Sequence, residues 1–126
     1  MVEYISAEEA VSVIKSGDRI FSHGSACTPN LLIDELARQA GRLRDVEFVS
    51  ITQQGNVEIA KPQYKDSFYI NSLFVSTPVR EAVNSERGDF VPVFLSEIPT
   101  LFKCGILPLD VAMVTVSPPD AHGYCT

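Results

Sequence analysis

Apolar residues recur along this chain in two alternating patterns, one typical of helices and the other typical of strands. Behind the capping-box sequence Ser6-Ala7-Glu8-Glu9, the residues Ala7, Ala10, Val11 and Ile14 form one apolar stripe at helical spacing. By contrast, residues 111–117 hold five apolar residues and no charge, which predicts a strand covered on both faces. The same reasoning predicts helices that begin at residue 7 and cover 29–40, 77–86 and 97–104, and strands at 19–22, 46–52, 68–75, 90–95 and 111–116.

The order of these elements, in which strands alternate with helices, predicts an α/β fold. We expect a mainly parallel sheet between two helical layers, formed as a single domain by residues 1–126. Pro92 cannot donate a hydrogen bond to a neighbouring strand, so the strand predicted at 90–95 is expected at a sheet edge. Thr28 is expected to cap the second helix, with Pro29 as its first residue, and Ser96 is expected to cap the fourth.

The net charge and the hydropathy of the chain argue against two classes of binding partner, nucleic acids and membranes. The formal net charge of −6 argues against electrostatic binding of nucleic acid or of an anionic membrane surface. The sequence has no apolar stretch of 18 residues, so we expect no membrane span. The first four residues lack a basic region followed by an apolar run, so no signal peptide is expected either.

The three cysteines, Cys27, Cys104 and Cys125, are scattered and show no Cys-x-x-Cys spacing. An odd and dispersed set of thiols fits a reducing compartment, and we therefore expect a cytoplasmic protein. A zinc site needs more ligands than these cysteines and the two histidines readily offer. No metal is expected.

The segment Gly24-Ser25-Ala26-Cys27-Thr28-Pro29 joins the first predicted strand to a helix. Backbone N–H groups and the helix dipole at such a junction favour an anion, and the small residues let a ligand approach the backbone closely. The segment is neither Gly-x-Gly-x-x-Gly nor a Gly-Lys-Ser/Thr phosphate loop, so neither dinucleotide nor triphosphate binding is indicated. A tight structural connection explains these residues equally well.

A polar turn, residues 118–123, follows the last predicted strand. Ligands of open α/β folds bind at the carboxyl ends of the strands, which makes this turn a candidate site. Asp120 and His122 could form an acid–base pair, but such residues in a Pro/Gly turn more often fix the loop by hydrogen bonds to its backbone. We therefore expect the turn to line a site more than to catalyse.

Three further side chains are candidates from their positions alone. Arg80 lies in the first turn of a predicted helix, where a cation is disfavoured by the dipole, so it has a ligand or carboxylate partner or lies solvated at the surface. Glu97 occupies a helix start, where a carboxylate is favoured and a structural role is sufficient. His23 borders the small-residue loop, and a bracing role is favoured over proton transfer. No Ser/His/Asp or Cys/His set has supporting sequence context.

Several segments taken together are similar to one known family. The most specific is Val116-Ser117-Pro118-Pro119-Asp120-Ala121-His122-Gly123, supported by Ser96-Glu97-Ile98-Pro99, by Gly24-Ser25-Ala26 before Thr28-Pro29, and by residues 79–84 and 107–112. In this order they resemble the N-terminal domain of the acetyl-CoA hydrolase/4-hydroxybutyrate CoA-transferase family, over about residues 5–126.

The resemblance implies a three-layer α/β/α CoA-transferase fold with a mainly parallel sheet. It also implies that the enzyme moves CoA between an acyl-CoA and a small carboxylate, with coenzyme A as a substrate and no metal. A glutamate attacks the thioester, and an acyl–glutamyl anhydride and then a glutamyl-CoA thioester follow, while nearby donors stabilise the oxyanion.

In this family the nucleophilic glutamate belongs to the C-terminal domain, and no glutamate of this chain matches its position. The resemblance therefore implies that the chain is part of a longer enzyme, as a truncated form or a partial gene product, and is inactive by itself. We expect it to associate with that C-terminal domain and to form a homo-oligomer. The residues expected to shape the substrate pocket are Gly24, Ser25, Ala26, Gln53, Gly55, Arg80, Pro118, Asp120, His122 and Gly123.

Two alternatives remain open. In an acetyl-CoA hydrolase, water and not a carboxylate would resolve the glutamyl-CoA intermediate. A non-catalytic binding or assembly domain of the same fold would show affinity for a ligand or partner without activity.

Overall fold

The computed structural model describes residues 4–126, which form a five-stranded sheet with helices on both faces. The sheet order is β4-β3-β2-β1-β5, and every neighbouring pair is parallel. This confirms the predicted α/β class. The helices are α1 (Ala7–Ser12), α2 (Asn30–Arg38), α3 (Arg80–Asn84) and α4 (Ile98–Lys103), and the strands are β1 (Arg19–Ser22), β2 (Val46–Ser50), β3 (Phe68–Ser72), β4 (Gly88–Phe90) and β5 (Val111–Met113).

The register of the three central strands brings their carboxyl ends into line. Ser22 of β1 lies opposite Ser50 of β2, and Ser50 lies opposite Ser72 of β3. All three serines are fully buried. The loops that follow these strands therefore leave the sheet side by side along one edge, where ligands of open parallel sheets bind.

Alternate strand residues point to opposite faces of the sheet, and each face has its own helical cover. Ile20, Phe48 and Ile70 belong to the larger apolar core, which includes Val11 of α1 and Leu36 of α2. On the other face, a smaller cluster is formed by Val49, Leu73 and Ile98, with Phe21, Leu101 and Phe102 among the residues packed against it. The rings of Phe21 and Phe102 meet edge to face at 5.4 Å, which seats α4 over β1.

The prediction of a last strand covered on both faces was wrong. β5 contains only residues 111–113 and pairs with β1 alone, so it is an edge strand among the described residues. Val114 and Val116, expected inside, are 51% and 54% exposed. A run of apolar residues shows that a strand can be buried, but it does not show which elements lie beside it.

Two predicted helix caps were also wrong. Pro29 and not Thr28 is the residue before α2, and no side chain caps that helix. The Thr28 hydroxyl instead donates to the carbonyl of Ser25 at 2.8 Å and accepts from the N–H of Gln54 at 3.2 Å. Ser96 lies within a 3-10 turn, Leu95–Glu97, and α4 begins only at Ile98.

Two elements in the second half are shorter than predicted. The helix expected at 77–86 is a 3-10 turn, Thr77–Val79, followed by the five residues of α3. The strand expected at 90–95 is replaced by β4, Gly88–Phe90, which ends before Pro92. β4 does lie at the sheet edge, as the proline predicted.

Candidate functional site

Two hollows lie next to each other at the carboxyl edge of β1, β2 and β3. The first, called here the apolar hollow, has a volume of about 580 Å³ and is lined by Phe21, His23, Gly24, Ser25, Ala26, Cys27, Ile51, Thr52, Phe74 and Leu95. The second, the polar hollow, has a volume of about 590 Å³ and is lined by Ser25, Thr52, Gln53, Gln54, Gly55, Ser76, Thr77, Pro78 and Arg80.

The walls of the apolar hollow come from four separate segments. Phe21 lies in β1, Ile51 follows β2, Phe74 follows β3 and Leu95 precedes α4. Phe74 and Leu95 are 40% and 63% exposed, which places them at the rim. Within residues 4–126, no aspartate, glutamate, lysine or arginine lines this hollow, and the His23 imidazole is the one basic side chain in its lining. The walls are otherwise mainly hydrocarbon, which favours an apolar group.

The polar hollow has a different lining. Hydroxyl groups come from Ser25, Thr52, Ser76 and Thr77, and Arg80 is the only cationic side chain among its lining residues. Arg80 is exposed and forms no ion pair within the part of the chain that the structure describes. The hollow can therefore receive a polar or anionic group.

A pair of hydroxyl groups separates the two hollows. The Oγ of Ser25 lies 2.7 Å from the Oγ1 of Thr52, and both residues line both hollows. The N–H of Ser25 also donates to the carbonyl of Thr52 at 2.9 Å. Ser25 has a φ of 52°, in the left-handed region that residues with a side chain rarely adopt. Such backbone strain is often found at functional sites. We call this pair the hydroxyl ridge.

The ridge depends on the close approach of two loops at Gly24. A Cβ atom added to this glycine would lie 2.1 Å from the backbone oxygen of Thr52. The conformation of Gly24 is extended, with φ −126° and ψ −172°, which any residue can adopt. Space and not backbone freedom therefore requires glycine at this position.

Gln53 ties together the loops that follow the three central strands. Its side chain is almost fully buried, with 1% exposed, and its Nε2 donates to the carbonyl of His23 at 3.0 Å. Its backbone N–H donates to the Oγ of Ser76 at 2.9 Å. The loops after β1, β2 and β3 thus share one hydrogen-bonded support. His23 shares in this support through its carbonyl and lines the apolar hollow.

The structure thus brings six of the ten predicted pocket residues together. Gly24, Ser25 and Ala26 line the apolar hollow, and Gln53, Gly55, Arg80 and again Ser25 line the polar hollow. The sequence did not reveal the apolar walls. All four of their residues, Phe21, Ile51, Phe74 and Leu95, lie within strands predicted from the sequence, where an apolar residue is usually core. The signal available was their position, directly at the carboxyl ends of parallel strands.

The turn at 118–123 lines neither hollow. Pro118, Asp120, His122 and Gly123 are all exposed. The Oδ1 of Asp120 accepts hydrogen bonds from the backbone N–H groups of His122 at 2.8 Å and Tyr124 at 2.9 Å. Within residues 4–126, no hydrogen bond joins this carboxylate to the His122 imidazole. Asp120 fixes the turn, and the contribution of these residues to a substrate pocket remains a prediction.

Acid should loosen this turn. Hydrogen bonds from the N–H groups of Tyr124 and His122 hold the pKa of Asp120 below the usual aspartate value. A depressed folded-state pKa means that the carboxylate stabilises the turn above the unfolded pKa of about 3.9 and that this is lost as the pH falls through the folded pKa. We expect the amide NMR shifts of His122 and Tyr124 to titrate with a midpoint below about pH 3.9. Asp120→Asn should remove the step, and a midpoint at or above that pH would contradict the assignment.

Other classes of site find little support in the described residues. No group of three or more His, Cys, Asp or Glu side chains within residues 4–126 could hold a metal ion. None of the helices described there has the length and apolar character needed to cross a membrane.

Comparison with known proteins gives consistent matches. The model of the acetyl-CoA hydrolase/transferase N-terminal domain matches residues 2–126. A 4-hydroxybutyrate coenzyme A transferase of Clostridium kluyveri is 38% identical over 97% of this chain and 28% of that protein. A succinyl-CoA:acetate/propanoyl-CoA:succinate CoA transferase of Fasciola hepatica is 37% identical over 96% of this chain and 25% of that protein.

Solved structures agree with the sequence matches. RipA from Yersinia pestis has a TM-score of 0.84 and 27% identity, over 96% of this chain and 30% of that chain. A 4-hydroxybutyrate CoA-transferase from Porphyromonas gingivalis has a TM-score of 0.76 and 25% identity, over 96% of this chain and 26% of that chain. The chain therefore spans about a quarter to a third of the length of the relatives it matches.

Proposed function

We propose that this chain, which belongs to the acetyl-CoA hydrolase/transferase family, forms part of the substrate pocket of a CoA transferase. The match to the family is through its N-terminal domain. The enzyme would move CoA between an acyl-CoA and a small carboxylate of the 4-hydroxybutyrate or acetate type. The observation that carries the proposal is the pair of adjoining hollows at the carboxyl edge of the sheet. This is where a parallel α/β domain binds its ligand.

The reactive group belongs, in this proposal, to a C-terminal domain of the same enzyme. A glutamate carboxylate there attacks the thioester carbonyl, expels the CoA thiolate and forms an acyl–glutamyl anhydride. The thiolate then attacks the glutamyl carbonyl and releases the acyl group as a carboxylate, which leaves a glutamyl-CoA thioester. No glutamate among residues 4–126 lines either hollow, which supports placing the nucleophile elsewhere.

Glu97 is the glutamate of this chain whose sequence context most resembles a functional one, and it offers a direct test. Its Oε2 accepts a hydrogen bond from the N–H of Phe94 at 3.3 Å, and it lines neither hollow. Glu97→Gln keeps the shape and an acceptor oxygen. We expect CoA exchange by the enzyme assembled with its C-terminal domain to stay within about threefold of the unchanged enzyme. Loss of a nucleophile commonly costs several orders of magnitude, so a fall beyond about 1000-fold would contradict the proposal.

A hydrolase is the nearest alternative, and the family itself includes both activities. The two differ in what resolves the glutamyl-CoA intermediate, a carboxylate or water. Product analysis with and without acetate separates them, because only a transferase makes acetyl-CoA. A non-catalytic binding domain would bind ligand and give neither product when the C-terminal domain is supplied.

The proposal also includes a cytoplasmic location and assembly into a homo-oligomer. Cys27, Cys104 and Cys125 are all free thiols, which suits a reducing compartment. Large apolar side chains are exposed near α4 and β5, among them Phe94 at 76%, Ile106 at 70% and Val116 at 54%. Exposed apolar surface of this kind supports association with the remaining domain or with further copies.

A further inference from the structure

We infer that Thr115 is a positioning residue, whose hydroxyl holds the loop at 23–27 and the polar turn at 118–123 in one fixed arrangement. Its Oγ1 donates to the carbonyl of Cys27 at 2.8 Å, across 88 positions of sequence. Cys27 lines the apolar hollow, and Thr115 lies two residues beyond the end of β5. The effect on catalysis rests on the proposed function, whereas the structural effect of the bond does not.

The chain beyond β5 hydrogen-bonds mainly to itself. The N–H of Ser117 donates to the carbonyl of Thr126 at 2.7 Å, and the N–H of Thr126 donates to the Oγ of Ser117 at 3.0 Å. Between these two residues, the N–H of Asp120 donates to the carbonyl of Tyr124 at 2.9 Å. Residues 117–126 therefore form one small unit that contains the whole polar turn, and we call it the turn unit.

One hydrogen bond attaches the turn unit to the sheet. In the part of the chain that the structure describes, the bond from Thr115 Oγ1 to the Cys27 carbonyl is the only one between residues 114–126 and the residues before them. Val114 and Val116 are 51% and 54% exposed, so the packing of the neighbouring side chains is only partial. Loss of this bond should therefore free the turn unit to move against the sheet.

The same bond holds one end of a strained loop. Ser25 has a φ of 52°, and the residues two positions before and after it are both held from the side of β5. The N–H of His23 donates to the carbonyl of Met113 at 2.8 Å, and the carbonyl of Cys27 accepts from Thr115. The hydroxyl ridge holds the loop from the side of β2. Since strained backbone persists only where surrounding contacts over-determine it, Thr115 helps to keep the Ser25 hydroxyl between the two hollows.

The chemistry of the bond defines the variants that test it. Thr115→Val keeps the shape of the side chain and removes the donor, whereas Thr115→Ser keeps the donor and removes a methyl group. Thr100→Val is the matched control, because Thr100 is exposed and its hydroxyl forms no hydrogen bond within residues 4–126.

Two natural cysteines allow the position of the turn unit to be measured without activity. Cys125 lies in the turn unit and Cys104 lies at the end of α4, and both are exposed. In a Cys27→Ser parent, which keeps the backbone carbonyl, nitroxide labels at these sites report their separation by electron–electron double resonance. We expect one narrow distance distribution in the parent, and a width at least about twofold greater in Thr115→Val. Thr115→Ser and Thr100→Val should match the parent.

Three outcomes of the distance measurement would overturn the inference. They are a distribution in Thr115→Val as narrow as that of the parent, a distribution in Thr115→Ser as broad as that of Thr115→Val, and equal broadening in Thr100→Val. Each would show that the donor on Thr115 does not fix the turn unit.

The enzyme assembled with its C-terminal domain tests whether the bond matters for the reaction. We expect Thr115→Val to lower kcat for CoA exchange about tenfold and to change KM for the acyl-CoA less than about threefold, because a misplaced loop disturbs the reacting geometry most. Thr115→Ser should keep kcat within about twofold of the unchanged enzyme. Rates are expressed per folded molecule, measured by circular dichroism, so a loss of stability alone does not lower kcat.

The two measurements separate this inference from the proposed function. An unchanged kcat in Thr115→Val would leave the proposed function standing and refute the positioning role. If the unchanged enzyme shows no CoA exchange, the proposed function is refuted, and the distance measurement still decides whether Thr115 holds the turn unit in place.

Discussion

Gly24→Ala should lower the free energy of unfolding by about 1–3 kcal/mol and remove the ability of the assembled enzyme to exchange CoA. The new Cβ would lie 2.1 Å from the carbonyl oxygen of Thr52, a contact that no real Cβ can keep. A flexible side chain could move away, but here the obstacle is backbone. The loop must shift, and the hydroxyl ridge between Ser25 and Thr52 shifts with it.

Gly41→Ala is the matched control. Gly41 lies in the 3-10 turn Ala40–Arg42, and a Cβ added there has no neighbour within 4 Å. Its free energy of unfolding should stay the same or rise by up to about 1 kcal/mol, because alanine restricts the unfolded chain. Urea unfolding of the two variants measures the difference. If Gly24→Ala proves as harmless as Gly41→Ala, the close approach of the two loops is not as described.

Phe48→Ala should lower the free energy of unfolding by about 3–5 kcal/mol. Phe48 is fully buried in β2, at the centre of the sheet, and belongs to the larger core with Ile20 and Ile70. Removing its ring leaves a cavity beneath the strands whose ends carry the hollows. Since a domain of this size is stable by only about 5–15 kcal/mol, much of the chain should be unfolded at modest urea concentrations.

The control for Phe48→Ala is the same substitution at an exposed ring. Phe94 is 76% exposed, and Phe94→Ala should change the free energy of unfolding by less than about 0.5 kcal/mol. Both variants are measured by urea unfolding followed by far-ultraviolet circular dichroism. Similar losses in the two variants would contradict the assignment of Phe48 to the central core.

The features that the sequence predicted well are local ones. The capping box is present with both of its bonds, from the Glu9 N–H to Ser6 Oγ and from the Ser6 N–H to the Glu9 carboxylate. β1 occupies the four residues expected, and β4 lies at the sheet edge that Pro92 indicated. In each case the residues that cause the feature lie within a few positions of it, so the local sequence pattern is sufficient to predict it.

The features that could not be predicted from the sequence depend on contacts between residues that are far apart in the chain. Ser25 and Thr52 are 27 positions apart, and nothing in either segment predicts that their hydroxyl groups meet. Thr28 was expected to cap α2 because of its neighbours, but its hydroxyl is used by Gln54, 26 positions away. The prediction that β5 is buried on both faces was wrong for the same reason, because the burial of a strand depends on which elements lie beside it.

The residues that line the apolar hollow were likewise only partly predictable from the sequence. Gly24 and Ser25 were recognisable because small residues between a strand and a helix let a ligand approach the backbone, and Arg80 because a cation is disfavoured in the first turn of a helix. Phe74 and Leu95 were not, because an apolar residue near the end of a strand is usually core. Their place at the site follows from the sheet order, which puts the loops after β1, β2 and β3 along one edge.

The most direct experiment locates the covalent intermediate. The 126-residue chain is mixed with the C-terminal domain and an acyl-CoA, and the intact mass of each polypeptide is measured before the intermediate hydrolyses. We expect the added mass of CoA on the C-terminal polypeptide alone, with this chain unmodified. A CoA thioester on any glutamate of this chain would show that it contains the nucleophile and that its role as a pocket wall alone is wrong.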